Sequence, residues 1–476
     1  MIFKFLTRIQ IEKIHYGTLE VLERTGVRIL HNDVIELLCD AGCTVTNRNV
    51  IKIPSAVVEQ AIQTAPSRVV LSNRLGQQVM FLEDHNYYYG TGPDAVNHLD
   101  AFTGQRRPSV KQDVVNAAKI SDALNNIDFV MSLGLVSNCP EQVSDLHQFK
   151  AMLENTIKPI VFTAHNKENL RVIRDIGYEV AGSKEKFEAN PFLIHYSEVI
   201  SPLTHTPDGL EKALFCAENM IPLVYLSGLM SGATGPVTTT GAIVQANAEA
   251  LSSLVIHQLK NPGAPIIVSN QATIMDMKSG RFCHGAPELH LAHAALADIH
   301  HHYRLPIWGT AGASDSHLHD QQAAIENTLS IIMAAMSGCN LIHDVGLLDS
   351  AMACSLESVV MCDEIIGMVK RILKGIRISD EDMAIDVIHR VGPGGHFISD
   401  LHTLEHFRNE QWSPSILVRQ NFSEWEKNGK KDMGMRLNEV VKNILETHKP
   451  ELLSQEVQDF VRDIVDEYEN RILGGN

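Results

Sequence analysis

No stretch of this 476-residue chain holds the roughly 18 uninterrupted apolar residues of a membrane span. Its start, MIFKFLTRIQIEK, lacks the long apolar region and small-residue cleavage site of a secretion signal. The eight cysteines (Cys39, Cys43, Cys139, Cys216, Cys283, Cys339, Cys354 and Cys362) form no CxxC pair and sit mostly in apolar surroundings. They read as free, mostly buried thiols in a reducing compartment, so a soluble, cytoplasmic protein is expected. Basic residues are also in deficit: 40 Lys and Arg face 57 Asp and Glu, a formal net charge of −17. A surface so poor in cations argues against nucleic acid or an anionic membrane as partner, and would tolerate a cationic substrate. There is no HExxH, no Cys-His set at zinc spacing, no GxSxG elbow and no P-loop or dinucleotide fingerprint after a strand. VGPGGHF (391–397) is glycine-rich but lacks the Lys-Ser/Thr ending of a phosphate loop.

What the chain does have is rhythm. Residues 1–110 read as an α+β extension. Apolar residues at helical spacing over 9–24 stop at Gly26, a short helix over 33–41 stops at Gly42, and VVLSNR and VMFLED pair around Gly76. From about residue 111 to 375 short apolar runs recur: DFVMSLGLVS, KPIVFTAH, PFLIHYSE, IPLVYLSG, APIIVSNQ, LPIWGTAG and CNLIHDVG. Amphipathic helical stretches such as GLEKALFCAEN and PELHLAHAALADIHHHY separate them. Strands without polar alternation are covered on both faces, and strand–helix units in series are the βα units of a parallel sheet. The spacing predicts a TIM (β/α)8 barrel with the N-terminal extension and C-terminal helices over 376–476. Seven strands are visible; the eighth falls either in the YYYGTG region or after residue 350. The helices after Arg436 would brace the barrel or an oligomer contact.

In such a barrel the active site lies at the C-terminal strand ends. Those ends offer Ser137 and Asn138, Thr163 and His165, Tyr196 and Glu198, Tyr225 and Ser227, Asn270 and Gln271, Trp308 and Thr310, and His343 and Asp344. The set is polar, aromatic and acidic, with no Lys or Arg, which suits a cation: an aromatic face attracts a quaternary ammonium by about 0.5–2 kcal/mol per contact. A metal site built from His195, Glu198 and His343 stays open, whereas His300, His301 and His302 diverge around a helix and read as its solvated surface. Structural readings compete at each position, since buried Trp and Tyr are more often core, and a His–Asp pair can be a satisfied structural contact.

Longer motifs then carry a resemblance. LMSGATGPVTTTGAIVQANAEALSSLVIHQLKNPGAPIIVSNQATIMDMKSGRFCHGAPE (229–288), VGPGGHFISDLHTLEHF, NFSEWEKNGKKDMGMRLNE, IHYGTLEVLERTGVRI and GTGPDAVNHLDAFTGQRRPS together resemble the trimethylamine methyltransferase family along nearly the whole chain. The family fold is a TIM barrel. Archaeal members carry a pyrrolysine, whose position by motif order falls near Gly312 to Ser316; this chain has only standard residues there. The resemblance therefore implies the branch similar to glycine betaine and proline betaine methyltransferases, which move a methyl group from a quaternary amine to the Co(I) of a corrinoid protein and release a tertiary amine. It implies no permanently bound cofactor or metal, a cobalamin presented by a corrinoid-binding partner, and a homo-oligomer. Within that frame Tyr89, Trp308 and Tyr225 are expected as aromatic walls and Glu198 and Asp344 as sources of negative potential. His165, Gln271 and His343 would orient the substrate carboxylate or its water shell, with Arg281 as a further carboxylate candidate. Two other readings remain: a zinc-dependent barrel methyltransferase and a non-catalytic betaine-binding subunit of a methyltransferase complex.

Overall fold

The computed structural model describes residues 3–269 and 271–474, so Asn270 lies outside the described residues. Each of the seven apolar runs contributes a barrel strand, and the eighth comes from YYYGTG. In chain order the strands are β1 (Tyr88–Thr91), β2 (residues 129–130), β3 (Ile160–Phe162), β4 (Leu193–Val199), β5 (Leu223–Ser231), β6 (Ile266–Ser269), β7 (Ile307–Thr310) and β8 (Leu341–Val345). Beyond residue 270, Gln271–Ile274 continues beside β5. All neighbours are parallel. β8 pairs with β1, and single bridges from Gly90 to Phe129 and from Val130 to Ile160 close the ring through β2.

A helix follows every strand: α1 (Lys111–Ala123), α2 (Ser144–Asn155), α3 (Lys167–Ala181), α4 (Pro207–Glu218), α5 (Thr239–Lys260), α6 (Pro287–Tyr303), α7 (Gln321–Ser337) and α8 (Leu356–Leu373). Their starts are written locally. Asn166 and Asp320 accept backbone N–H bonds as N-caps, and Pro207 and Pro287 occupy the first helical turn, where a missing N–H costs nothing. Gly182 and Gly338 end α3 and α7 in the left-handed region.

The N-terminal extension closes one end of the barrel. The hairpin of Val69–Ser72 and Gln78–Leu82 inserts Val69, Leu71, Met80 and Leu82 among the inward side chains Phe129, Val161, Ile194 and Ile267. Ser72 N–H donates to the Pro191 carbonyl, just before β4, so the plugged end is the N-terminal one. Each buried aliphatic side chain there stabilises the fold by about 1.5–3 kcal/mol, and the hairpin blocks entry along the barrel axis from that end. The helix Arg8–Glu20 packs on α5 and α6, while Met433–Thr447 braces α8 and α1 and Gln455–Leu473 braces α3 and α2. Among the described residues no helix is long and apolar enough to cross a membrane, and all eight cysteines are free, five of them buried. One expectation fails here. Of the histidine run of α6 His302 is exposed, but His300 is buried and His301 half-buried, because α6 is covered by α5 on one side and α7 on the other.

Candidate functional site at the C-terminal barrel mouth

The register of β8 against β1 slips by one residue. Ile342 pairs with Tyr89 and Val345 with Thr91, so His343 and Asp344 together oppose Gly90 alone. This is a β-bulge, and it breaks the in–out alternation. Leu341 points in and Ile342 out, then His343 and Asp344 both point in, and Val345 points out again. Asp344 adopts φ +82°, a region that costs a non-glycine residue about 1–2 kcal/mol. Its carboxylate accepts a short hydrogen bond from the Thr310 hydroxyl and lies 3.0 Å from His343 Nε2. His343 Nδ1 in turn donates to the Gly309 carbonyl at 2.9 Å.

Around this pair stands an aromatic wall. The Trp308 ring centroid is 4.4 Å from that of His343 and 5.7 Å from that of Tyr196, and Tyr196 is 5.9 Å from His343. Tyr196 donates its hydroxyl to Glu198 at 2.9 Å. Burial, and then the carboxylates of Glu198, Asp344 and Asp94, push the Tyr196 hydroxyl well above its ordinary range. Asp94 caps the other side of the mouth, accepting Ser132 Oγ at 2.7 Å, Gln148 Nε2 at 2.6 Å and Thr163 Oγ1 at 3.1 Å. Glu198 is exposed while Tyr196, Trp308, His343 and Asp344 are buried, so acidity lines the opening and aromatic rings form the floor. On β5, Gly228 is exposed and a Cβ there would meet nothing within 4 Å. Its register partner Gln271 shares that inward face, and Gln271 Nε2 has no hydrogen-bond partner.

The eight residues expected from the sequence thus divide. Glu198, Gln271, Trp308, His343 and Asp344 converge on the mouth. His165 lies at its exposed edge, with Nε2 3.0 Å from Ser144 Oγ and its backbone N–H held by Asp145. Tyr89 and Tyr225 point away from the barrel axis. Tyr89 donates its hydroxyl to the Ile331 carbonyl of α7 at 2.8 Å, and Tyr225 lies against α4 with its hydroxyl 3.3 Å from His205 Nδ1. Both follow strict strand alternation, which sends 89 and 225 outward. The metal trio does not assemble either: His195 stacks on Phe162 in the outer layer, opposite in face to Tyr196 and Glu198. Among the described residues no group of three or more His, Cys, Asp or Glu is arranged to hold a metal ion. Ser137 and Asn138 hold the start of α1, through the Ser109 carbonyl and the Lys111 N–H.

Asp94 escaped the sequence reading because the strand it follows was not fixed; once β1 is placed at YYGT, Asp94 is a strand-end residue like the others. His284 was also missed. Its backbone is tied to Asp315 and its ring lies near Asp344 and His343, where burial lowers its basicity. The Gly312–Ser316 segment runs along the mouth, with Ser314 bound to Glu326 and Asp315 accepting from His284, Gly285 and Ser350. Arg281 is engaged: it binds Asp349 Oδ1 at 2.5 Å while Arg106 takes Oδ2 at 2.7 Å, cross-linking the loops after β6, β8 and β1.

Comparison with known proteins agrees with this architecture. The chain is similar to trimethylamine methyltransferase MttB of Desulfitobacterium hafniense, 34% identical over 459 residues, covering 96% of this chain and 92% of that one. It is similar to trimethylamine methyltransferase MttB of Methanosarcina barkeri, 30% identical over 473 residues, with 98% and 95% covered. It is also similar to a glycine betaine methyltransferase of Desulfitobacterium hafniense strain Y51, 29% identical over 461 residues, with 96% and 95% covered. In fold it matches the crystal structure of the Methanosarcina barkeri monomethylamine methyltransferase MtmB, with a TM-score of 0.53 at 11% identity over 94% of this chain and 88% of that one. With residues 2–472 matched to its profile, this chain belongs to the trimethylamine methyltransferase (MTTB) family.

Proposed function

We propose that this protein transfers a methyl group from a small quaternary amine of the betaine type to the Co(I) of a corrinoid carried by a separate protein, releasing a tertiary amine. The observation that carries the reading is the composition of the mouth: the Tyr196–Trp308–His343 wall beneath the carboxylates of Glu198, Asp94 and Asp344. Ring faces and carboxylates both favour a permanent cation, whose charge cannot be shed by deprotonation. Arg281 and Arg106 are both engaged by Asp349, whose carboxylate offsets part of their positive charge.

A quaternary ammonium already carries the charge that makes its nitrogen a leaving group, so the protein needs no general base. Its residues have to hold the cation and direct one N-methyl group outward along the barrel axis. The corrinoid supplies the nucleophile, a low-valent cobalt that accepts the methyl group. Glu198 and Asp94 draw the ammonium to the opening, the aromatic floor limits how deep it sinks, and the hairpin blocks approach from the N-terminal end. A docking partner fits the rim, where Val96, Phe102, Val237, Met277, Leu318 and Met352 are exposed on loops that follow the strands. Scattered exposed apolar residues are ordinary, but here they surround one opening.

The test mixes purified protein with Co(I) cobalamin, or with a corrinoid protein, and in turn glycine betaine, proline betaine, carnitine and trimethylamine. Growth of the methylcobalamin absorbance with one quaternary amine is expected. Silence with every quaternary amine, with a corrinoid protein present, would overturn the reading; transfer from trimethylamine alone would replace the substrate class.

A further inference from the structure

The strand ends around the mouth carry no Lys or Arg, and the arginines of its rim, Arg106 and Arg281, are both engaged by Asp349. A substrate with a carboxylate at its other end therefore needs a neutral donor. On the β5–β7 side, two N–H donors among the described residues have no partner. Gln271, 7% exposed, pairs in register with Gly228 of β5, and its Nε2 is unpaired. Trp308, 2% exposed on the adjacent β7, leaves Nε1 unpaired as well. A buried N–H without an acceptor is costly and rare in a native protein, so the two point to a ligand that accepts. Gly228 leaves room for it, since a Cβ there would meet nothing within 4 Å.

The other half of the ring has the opposite polarity. Past β1 and β3 a cavity of about 130 Å³ is lined by Asp94, Gln148, Thr163 and His165. Asp94 takes Gln148 Nε2 at 2.6 Å, which fixes the amide, and the buried Gln148 Oε1 is left without a donor. Thr163 follows Phe162, the register partner of His195, so the cavity adjoins Tyr196 and the Glu198 that Tyr196 binds. Carboxylates, an amide oxygen and ring faces all attract a cation, and none of them needs a hydrogen from it. A fully methylated ammonium has no N–H to give.

We propose that the mouth holds its substrate as an oriented zwitterion, with the ammonium on the Asp94–Tyr196–Glu198 side and the carboxylate over Gly228, accepting from Gln271 Nε2. Gln271 is then the residue that separates betaines from quaternary amines without a carboxylate. This rests on the quaternary-amine reading above and narrows it. Of the three side chains expected to orient a carboxylate, His343 is engaged at both ring nitrogens and His165 stands on the acidic side. Gln271 remains. A neutral donor suits a small zwitterion better than an arginine would, because a full positive charge in the same opening would repel the ammonium that the wall attracts.

The test compares substrates within one variant. Methyl transfer to Co(I) cobalamin gives kcat/KM, and titration calorimetry gives Kd, for glycine betaine and for tetramethylammonium, which has the cation and no tail. Gln271→Met keeps the length and removes the donor. The betaine-to-tetramethylammonium ratio is expected to fall at least about tenfold, as for one hydrogen bond to a charged group. Gln271→Glu sets a carboxylate against the tail and should lower the ratio further, while choline, whose hydroxyl can donate, gains on glycine betaine. Gly228 is exposed and its backbone suits any residue, so Gly228→Val fills the space without strain. It should cost carnitine, with the longer tail, more than tetramethylammonium. Ratios unchanged in these variants, or betaine and tetramethylammonium weakened alike, would overturn the proposal and leave quaternary-amine transfer standing. A parent protein that neither binds nor demethylates any quaternary amine would remove the underlying reading, and this proposal with it.

Discussion

His343 presents Nδ1 to the Gly309 carbonyl at 2.9 Å and Nε2 to Asp344 Oδ1 at 3.0 Å. A carbonyl oxygen only accepts, so Nδ1 donates in that bond, which leaves Nε2 facing the Asp344 carboxyl group. Asp344 thereby keeps His343 oriented against Trp308 and accepts the Thr310 hydroxyl. Asp344→Ala leaves both groups buried without a partner and is expected to lower stability by about 3–5 kcal/mol, read as a fall in the denaturant midpoint. Asp344→Asn keeps the shape and can still donate to Nε2. It should melt within a few degrees of the parent while methyl transfer falls at least about tenfold, because the negative potential beneath the substrate is gone. Equal activity in the Asn variant would show that Asp344 acts through shape alone.

Glu198 is the complementary case, an exposed carboxylate on the same strand as the buried Tyr196 that donates to it. Glu198→Gln should leave stability untouched. At a solvent-facing site a charge contact of about 4 Å is worth about 1 kcal/mol in water, so KM for the quaternary amine should rise about fivefold with kcat little changed. The increase should shrink as salt is added, because screening weakens the parent contact. A fall in kcat with unaltered KM would place Glu198 in the chemistry instead.

The seven apolar runs showed the barrel in the sequence because a parallel strand covered on both faces must be apolar throughout, and Ile307–Thr310 and Leu341–Val345 needed nothing else to be placed. β1 and β2 were harder. Three of the four residues of β1 are tyrosine or glycine, and β2 joins its neighbours by single bridges. Which face a residue takes is legible in the sequence only while alternation holds. Tyr225 and Tyr89 are outward by parity with Val224 and Tyr88, while Asp344 is inward only because a bulge adds a residue. A bulge has no sequence signal in CNLIHDVG. The exchange of roles can be tested directly. Tyr225→Phe and Tyr89→Phe should each cost about 1 kcal/mol of stability for one lost hydrogen bond and leave methyl transfer unchanged, whereas Trp308→Leu should weaken binding of the quaternary amine by about tenfold.

Lys158 is expected to be a stability residue at the plugged end of the barrel. Its ammonium donates to the carbonyls of Ser121, Leu124 and Ile127 at 2.6 Å each, tying the end of α1 to the chain that enters β2. Burial lowers its pKa to about 8. Lys158→Met removes the donor and leaves three carbonyls without it, so a loss of about 2–4 kcal/mol is expected in a chemical-denaturation experiment. An unchanged midpoint would mean that water replaces the ammonium at all three carbonyls.

Acid should unfold this protein early. Burial lowers His205, His257, His293 and His300 to about 3, and His290 and His301 to about 4, from an ordinary value of 6.5. Between pH 6.5 and about 4 the unfolded chain binds protons at these rings and the folded chain does not. Stability therefore falls as pH drops through that window, by about 1.4 kcal/mol per ring for each pH unit below 6.5. Carboxylates held low by hydrogen bonds and ion pairs, such as Asp100 at about 2, add their loss only below about 3.8 and so do not set the onset. Melting temperature measured at pH 7.5, 6.5, 5.5 and 4.5 should be flat over the first interval and drop steeply over the next two. His293→Gln and His205→Gln, which cannot take up a proton, should flatten that slope even if they lower stability at pH 7.5. A slope unchanged in both variants would assign the acid sensitivity to other groups.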